Sequence, residues 1–314
     1  MIAYIAKRLL LTLPTLILVA LVVFFLIRLI PGDPALVMLG DAGDAASLAA
    51  LRQDLGLDRS LPVQFLVWLG YALRGDLGHS ILTGEPVAAV IWDRFQLTAL
   101  VVLVAVSLAT LIAMAAGLLA AWKRDSALDL AVVGTAALVL AVPSFWLGLI
   151  LLLVFGLKLG WLPVVGYVPF SESATEAVLF LVLPILTLVI IESGVLTRMM
   201  RSSAIDVLNL EYVTHARAKG VPERAVLWRH VLPNAFAPTL TLIGLILGHL
   251  LGGIAVIETV FTLPGLGRLM VDAILARDYP VLQGCLLFTA VIYMAVNLAV
   301  DLCYPFFDPR VTAQ

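Results

Sequence analysis

Five long stretches of this chain carry no charged residue: 9–27, 95–122, 130–157, 231–257 and 279–300. Each reaches or exceeds roughly the length of apolar chain, about 20 residues, that a helix needs to cross a bilayer core. A sixth run, 177–191, is shorter. There Glu192 is followed by Ser-Gly-Val-Leu-Thr before the next charge at Arg198, so 177–197 reads as a further span with one polar residue near its end. The pattern predicts an all-α polytopic membrane protein with six transmembrane helices. The longest runs exceed what a span requires, so their ends must tilt or project. Pro143 and Pro184 fall inside the third and fourth spans, where each removes a backbone hydrogen bond and predicts a kink. Such kinks can line a pathway, and proline is also an ordinary constituent of membrane helices.

Between the spans the polar segments are unequal. The chain divides into residues 1–30 with the first span, a loop at 31–94 with short helices, and a core at 95–314 holding the other five spans and a charged loop at 198–232. Within the first loop, residues 65–71 are apolar but too short to cross. They predict an interfacial or packed helix, with Trp68 and Tyr71 suited to the headgroup layer. The segment 259–278 has a Pro-Gly turn followed by a short amphipathic helix. Lys7 and Arg8 before the first run resemble the start of a signal peptide. The apolar stretch is longer than a signal core of about 7–15 residues, and Pro31-Gly32-Asp33-Pro34 follows instead of a small-x-small cleavage site, so a span is expected.

Composition agrees with a bilayer setting. Hydrophobic residues make up 62%, charged residues 13%, and mean hydropathy is +1.11, against about 25% charge in soluble domains. The net charge of −2 says little, but its distribution says more. With both termini in the cytoplasm, eleven of the 19 basic residues fall on the inside, concentrated in 123–129 and 198–230. That favours an N-in, C-in orientation. Cys285 and Cys303 are 18 positions apart in one apolar run, roughly 27 Å along a helix, which is beyond disulfide reach.

Several chemistries are missing. There is no G-x-x-x-x-G-K-[ST] phosphate loop, no H-E-x-x-H and no G-x-S-x-G. The chain is therefore expected not to be an enzyme and to bind neither cofactor nor metal itself. His79, His215, His230 and His249 do not fall at ligand spacing. His249, inside the fifth span, can be read as a ligand or proton relay, or as a neutral histidine bonded to a neighbouring helix. Glu192 and Asp301 sit near one set of span ends and Glu258 near the other, so the midplane charge pair of an ion-coupled secondary transporter is not apparent. That class, a membrane enzyme and a signalling protein remain the rival readings.

The loop at 198–230 carries the most information. Asp206 is placed to cap a helix running to about Lys219. Gly220 can end it by taking a positive φ, and Pro222 can open a second helix that continues through Leu232 and Pro233 into the fifth span. Helix, glycine turn, helix makes a stiff lever fixed to a membrane span. Read without that geometry, the loop is a solvated basic segment that sets orientation.

The residues here resemble the "EAA" motif of ABC importer permeases, E-A-A-x-x-x-G-x9-I-x-L-P. Ala216, Gly220, Leu232 and Pro233 match, while Thr214, His215 and His230 replace the glutamate, first alanine and isoleucine. The run Ala216-Arg217-Ala218-Lys219-Gly220 is similar to the "ARAKG" form of the dipeptide/oligopeptide/nickel permease branch. So are "FLIRLIPGDPA", "LGLDRSLPVQF", "RGDLGHS", "ETVFTLPGLGRLMVDAILARDYPV" and the terminal Asp308-Pro309-Arg310. The resemblance implies the type I importer fold in the cell inner membrane. It also implies a second homologous permease, two ATP-binding subunits that hold the ATP and magnesium, and a solute-binding protein, with no role for nucleic acid. It assigns ATPase coupling to Glu211, Thr214, His215, Ala216, Arg217, Ala218, Lys219, Gly220, Val221, Pro222, Leu232 and Pro233. Arg217 and Lys219 are the expected partners of ATPase acids, and Pro143, Pro184 and His249 are the candidates for lining the pathway. The long outer loop offers a landing surface for the binding protein. Peptides are the expected solute, with nickel chelates, opines or glutathione as alternatives.

Overall fold

The computed structural model describes residues 2–29 and 58–307, together with helical residues 46, 52 and 53. Pro31-Gly32-Asp33-Pro34, residues 55–57 and Asp308-Pro309-Arg310 lie outside the described residues. Everything described is helix, turn or coil, apart from one isolated bridge between His79 and Pro86. The helices are α1 (Ile2–Leu29), α2 (Leu61–Ala72), α3 (Val87–Trp122), α4 (Ala127–Leu140), α5 (Ser144–Lys158), α6 (Ala174–Leu208), α7 (Glu211–Ala218), α8 (Glu223–Leu251), α9 (Ala255–Val260), α10 (Leu266–Ala276) and α11 (Tyr279–Phe307). Among the described residues four of them, α3, α6, α8 and α11, are long and apolar enough to cross a membrane, or five crossings if α4 and α5 count as one broken span. In α1 the described apolar window is Leu10–Phe25.

The two longest helices form the spine. α3 presents Ala105, Ala109, Ala113 and Gly117, all buried and four apart. Small residues at that spacing let two membrane helices approach closely. At Gly117 a Cβ would stand 2.8 Å from the Met200 Cβ and 2.9 Å from the Thr197 carbonyl of α6. α3 begins at Val87, eight residues before the charge-free run, because Asp93 and Arg94 lie within a continuous helix that runs beyond the bilayer core. Next to this pair, Asp129 of α4 is only 4% exposed and accepts from Nε and Nη2 of Arg201 from α6, the second at 2.6 Å. The Asp125 amide also donates to it. A buried carboxylate needs such partners.

Three sequence expectations need correction. Residues 130–157 are not one continuous helix with a kink: they break into α4 and α5, which meet at 99°. Pro143 lies at the N-cap of α5 rather than inside a helix, because proline has no N–H and excludes the helical region for the residue before it. The fifth span does not reach Ile257. It ends at Leu251, since Gly253 takes a φ of 129° and turns the chain into α9. Asp206 does not cap a new helix but lies inside α6, and the cap position before α7 is Leu210. Pro184 does lie within α6, buried.

The short helices are anchored to the long ones. Phe65 and Trp68 of α2 pack on Phe24 of α1, and the Arg28 guanidinium lies 3.4 Å from the Phe24 ring centre and donates to Gln64. At the end of α3 near Thr98, α9 and α10 form a hairpin around Glu258, which is 1% exposed. Thr98 Oγ1 donates to Glu258 and accepts from the Leu266 amide, and the Arg268 amide donates to the other carboxylate oxygen. Burial pushes this carboxyl up, opposed by those hydrogen bonds. At Gly265 any Cβ would collide with the carboxylate. Ser80 donates to Asp278 at the start of α11, which ties the first loop to the same end of the bundle. Cys285 is buried, Cys303 is exposed, and both are free thiols.

Replacing Gly117 with Ala forces a Cβ onto the α6 backbone and should destabilise the protein by about 1–3 kcal/mol. In lipid discs this should appear as a fall of several degrees in Tm. Gly134 has open space around its Cβ position, so Gly134→Ala should show no fall. Equal melting of the two variants would refute the close α3–α6 approach.

Candidate functional site

α7 is only eight residues long and is shaped by its ends. The Gly220 amide donates to the Arg217 carbonyl at 2.9 Å, and the Val221 amide to the Ala216 carbonyl at 3.2 Å. These are the two bonds of a Schellman stop, with Gly220 at φ 77° as the left-handed residue. No atom lies within 4 Å of where its Cβ would be. The demand for glycine is therefore conformational, not steric. Pro222 precedes α8 at its cap, where a missing N–H has no consequence.

Two contacts hold the resulting elbow in shape. Arg217 makes a forked pair with Glu223, at 2.8 and 3.3 Å, across the Gly220 turn. At the base, the Tyr212 hydroxyl donates to the His230 carbonyl at 3.2 Å, and Asn234 donates to the same oxygen at 2.8 Å. That carbonyl belongs to a π-turn at Leu227–Val231, where the Leu232 amide bonds back to Leu227. Pro233 follows immediately. It cannot donate to residue 229, and its ring would crowd that carbonyl, so the wider turn accommodates it and the helix continues to Leu251.

One face of α7 is buried. Val213 and Ala216, three apart, are both buried, and Val213 sits in a cluster with Leu118 of α3, Met200, Ala204 and Val207 of α6, and Val226, Leu227, Val231 and Ala235 of α8. Leu232 and Val221 pack against the same cluster. The elbow is thus seated on the ends of three long helices at once. Its other face, with Glu211, Thr214, His215, Ala218, Lys219 and Gly220, is exposed, as are Pro222 and Pro233. The sequence-predicted loop residues are brought together as one unit. Arg217 differs from expectation, because it already has an acid partner in this chain, whereas Lys219 is exposed with no ion pair among the described residues. Tyr212, Val213 and Glu223 were missed. The i, i+3 spacing of Val213 and Ala216 was a usable signal, but the Arg217–Glu223 pairing depends on the turn between them.

The other candidates lie apart. Pro143 is exposed at the α4–α5 break and Pro184 is buried in α6. His249 lines a cleft of about 860 Å³ between α1, α8 and α11, with Thr15, Thr289, Tyr293 and Asn297 among its walls, and neither proline contributes to it. Among the described residues no three of the His, Cys, Asp and Glu side chains gather as a metal set.

Comparison with known proteins matches residues 113–313 to the family described as "Binding-protein-dependent transport system inner membrane component", and residues 1–102 to its N-terminal membrane component. A Brucella suis biovar 1 protein provisionally named a peptide transport system permease is 42% identical over 311 residues, 99% of both chains. A Sinorhizobium fredii protein provisionally named a peptide ABC transporter permease is 39% identical over 308 residues, 98% of both. The glutathione transport system permease of Salmonella choleraesuis is 41% identical over 316 residues, 99% of both.

A left-handed conformation costs a residue with a Cβ about 1–2 kcal/mol. Gly220→Ala should therefore open the stop and speed hydrogen exchange at the Val221 amide about five- to thirtyfold. Gly220→Asn should show a smaller effect, since asparagine tolerates this region. Unchanged exchange in the alanine variant would contradict the geometry.

Proposed function

The chain belongs to the family of binding-protein-dependent transport system inner membrane components, and we propose that it forms half of the translocation pathway of an ATP-driven peptide importer. It is a multi-pass protein of the inner membrane, and its family works with a solute-binding protein and an ATPase. Our reading adds a second homologous permease and two ATP-binding subunits, which hold the ATP and magnesium while this chain binds no cofactor. We take α1 as the first of six spans and the bent α4–α5 pair as the third, with both termini in the cytoplasm. The basic loops at 123–129 and 198–230 support that orientation.

The observation that carries the proposal is the seat of α7 on the ends of α3, α6 and α8. The exposed face of the elbow enters a groove on the ATPase. Thr214, His215, Ala218 and Lys219 make the contact there, while Gly220 and the Arg217–Glu223 pair hold the shape. ATP binding draws the two ATPase subunits together and carries the elbow with them. Because Val213 is packed among the ends of three helices, the displacement passes to the spans as a rigid-body rock between inward-open and outward-open states. Thr98 stands about 30 Å along α3 from Leu118. The hairpin around Glu258 and the loop tied to Asp278 are therefore on the opposite face of the membrane, where the binding protein delivers its solute.

Peptide is the cargo favoured by the names of the relatives from Brucella and Sinorhizobium. A second reading, glutathione, is favoured by the 41% identity to the glutathione permease over the whole chain. Both cargoes share peptide-like amide bonds and charged termini.

The test is ATP hydrolysis by the complete complex in lipid, with its binding protein preloaded with a mixed peptide pool. Peptide-dependent stimulation is expected. Stimulation by glutathione alone would change the cargo and keep the machine, and no associated ATPase would refute the reading. Gly220→Asp should leave Tm within a few degrees and lower uptake by at least roughly tenfold, about 1.4 kcal/mol of lost coupling. A variant that assembles and transports normally would refute the role of the elbow.

A further inference from the structure

α6 is covered by its neighbours on most sides. Gly117 of α3 lies against Thr197 and Met200, Ala136 and Val139 of α4 lie against Gly194, and Thr239 of α8 donates to the Met200 sulfur. Between these contacts one face is incompletely covered; along it run Glu192, Val195, Met199, Ser202 and Asp206, spaced three and four apart, with Ile191, the exposed Arg198 and Ile205 beside them. Glu192, Val195 and Met199 are half-buried, and Ser202 and Asp206 are exposed. Exposure along it rises from Glu192 toward the elbow end of the helix.

Two of the charges in α6 are treated differently. Arg201 is neutralised by Asp129 with two hydrogen bonds. Glu192 follows a charge-free run of 15 residues and has no hydrogen bond or ion pair with any described residue. It lies about 9 Å along the axis short of Arg198, the next charge. An ionisable side chain facing lipid at that depth costs several kcal/mol, and such residues face the bundle interior or a water-filled cavity. An acid with no partner among the described residues, at the less exposed end of a face that opens to Ser202 and Asp206, marks that face as the wetted side of the helix.

We propose that Glu192 is the transient counter-ion for a cationic group of the solute as it leaves toward the elbow side. The inference rests on the peptide reading above. A peptide supplies such a group as its α-ammonium, or as a lysine or arginine side chain. One half-exposed carboxylate with no second acid beside it makes a weak site, as a pathway requires if the solute is to move on.

The test uses the complete complex with its binding protein in liposomes and measures uptake of Ala-Ala-Ala, Ala-Lys-Ala and Ala-Glu-Ala. Rates are taken as the ratio of Glu192→Gln to wild type for each peptide, which cancels the preference of the binding protein. Loss of one charge-assisted contact should lower the ratio to about one tenth. An equal fall for all three peptides assigns the contact to the α-ammonium, and a fall confined to Ala-Lys-Ala assigns it to the side chain. Glu192→Asp should restore most of the rate, and peptide-stimulated ATPase and Tm should stay at wild-type values in both variants. Ratios near one for all three peptides overturn the inference. So does a parallel loss of Tm that aspartate does not rescue, because that marks a structural role. A wild-type complex that takes up none of the peptides refutes the cargo reading instead.

Discussion

Backbone-to-backbone proximity of α3 and α6 is the constraint on which the rest of the molecule is built. In a bilayer, helices gain little from excluding water from one another, so association depends on close van der Waals fit. The line Ala105, Ala109, Ala113, Gly117 supplies that fit, because nothing protrudes to keep the helices apart. With α6 held there, Arg201 comes to Asp129 and fixes α4. The adjoining ends of α3 and α6 then make the floor on which Val213 rests. The elbow therefore inherits its position from a contact made inside the membrane.

The far end is organised on a different principle. There the fixing interactions are polar and buried: Glu258 with Thr98 and the amides of α10, and Asp278 with Ser80. The Thr98–Glu258 and Ser80–Asp278 bonds each join segments more than 150 residues apart in sequence. Directional bonds between short segments suit a face whose elements are too small to bury much area. Gly265 and Gly267 belong to the same arrangement, since a side chain at either would strike Glu258 or the backbone of Ala255.

Much of this was legible in sequence, for reasons that particular residues make plain. Charge-free runs mark spans because water is absent from the membrane core, and Gly220 marked the elbow because few other residues accept its φ. The packed helix around Trp68 and the amphipathic helix after Pro264-Gly265 were also readable. Other features were not. The break at Pro143 looked like a kink because one proline can do either, and the backbone around it decides. The 231–257 run hid the turn at Gly252-Gly253, since glycine is as uncharged as leucine. Arg217 was assigned outward because its acid, Glu223, lies six residues away and faces it only after the chain reverses. Asp206 resembled a cap although α6 simply continues past it to Leu208.

The elbow closes entirely on its own chain, through the bonds at Gly220, the Arg217–Glu223 fork and the Tyr212 latch on His230. Its shape is therefore complete before any other protein arrives. A partner need not freeze a floppy segment on contact, so little of the association free energy is lost to ordering. Interchangeability follows. On the docking role proposed for the elbow, a single groove could accept any permease that presents the same pre-set outline, and exchange of subunits would turn on a few outward side chains rather than on refolding of the loop.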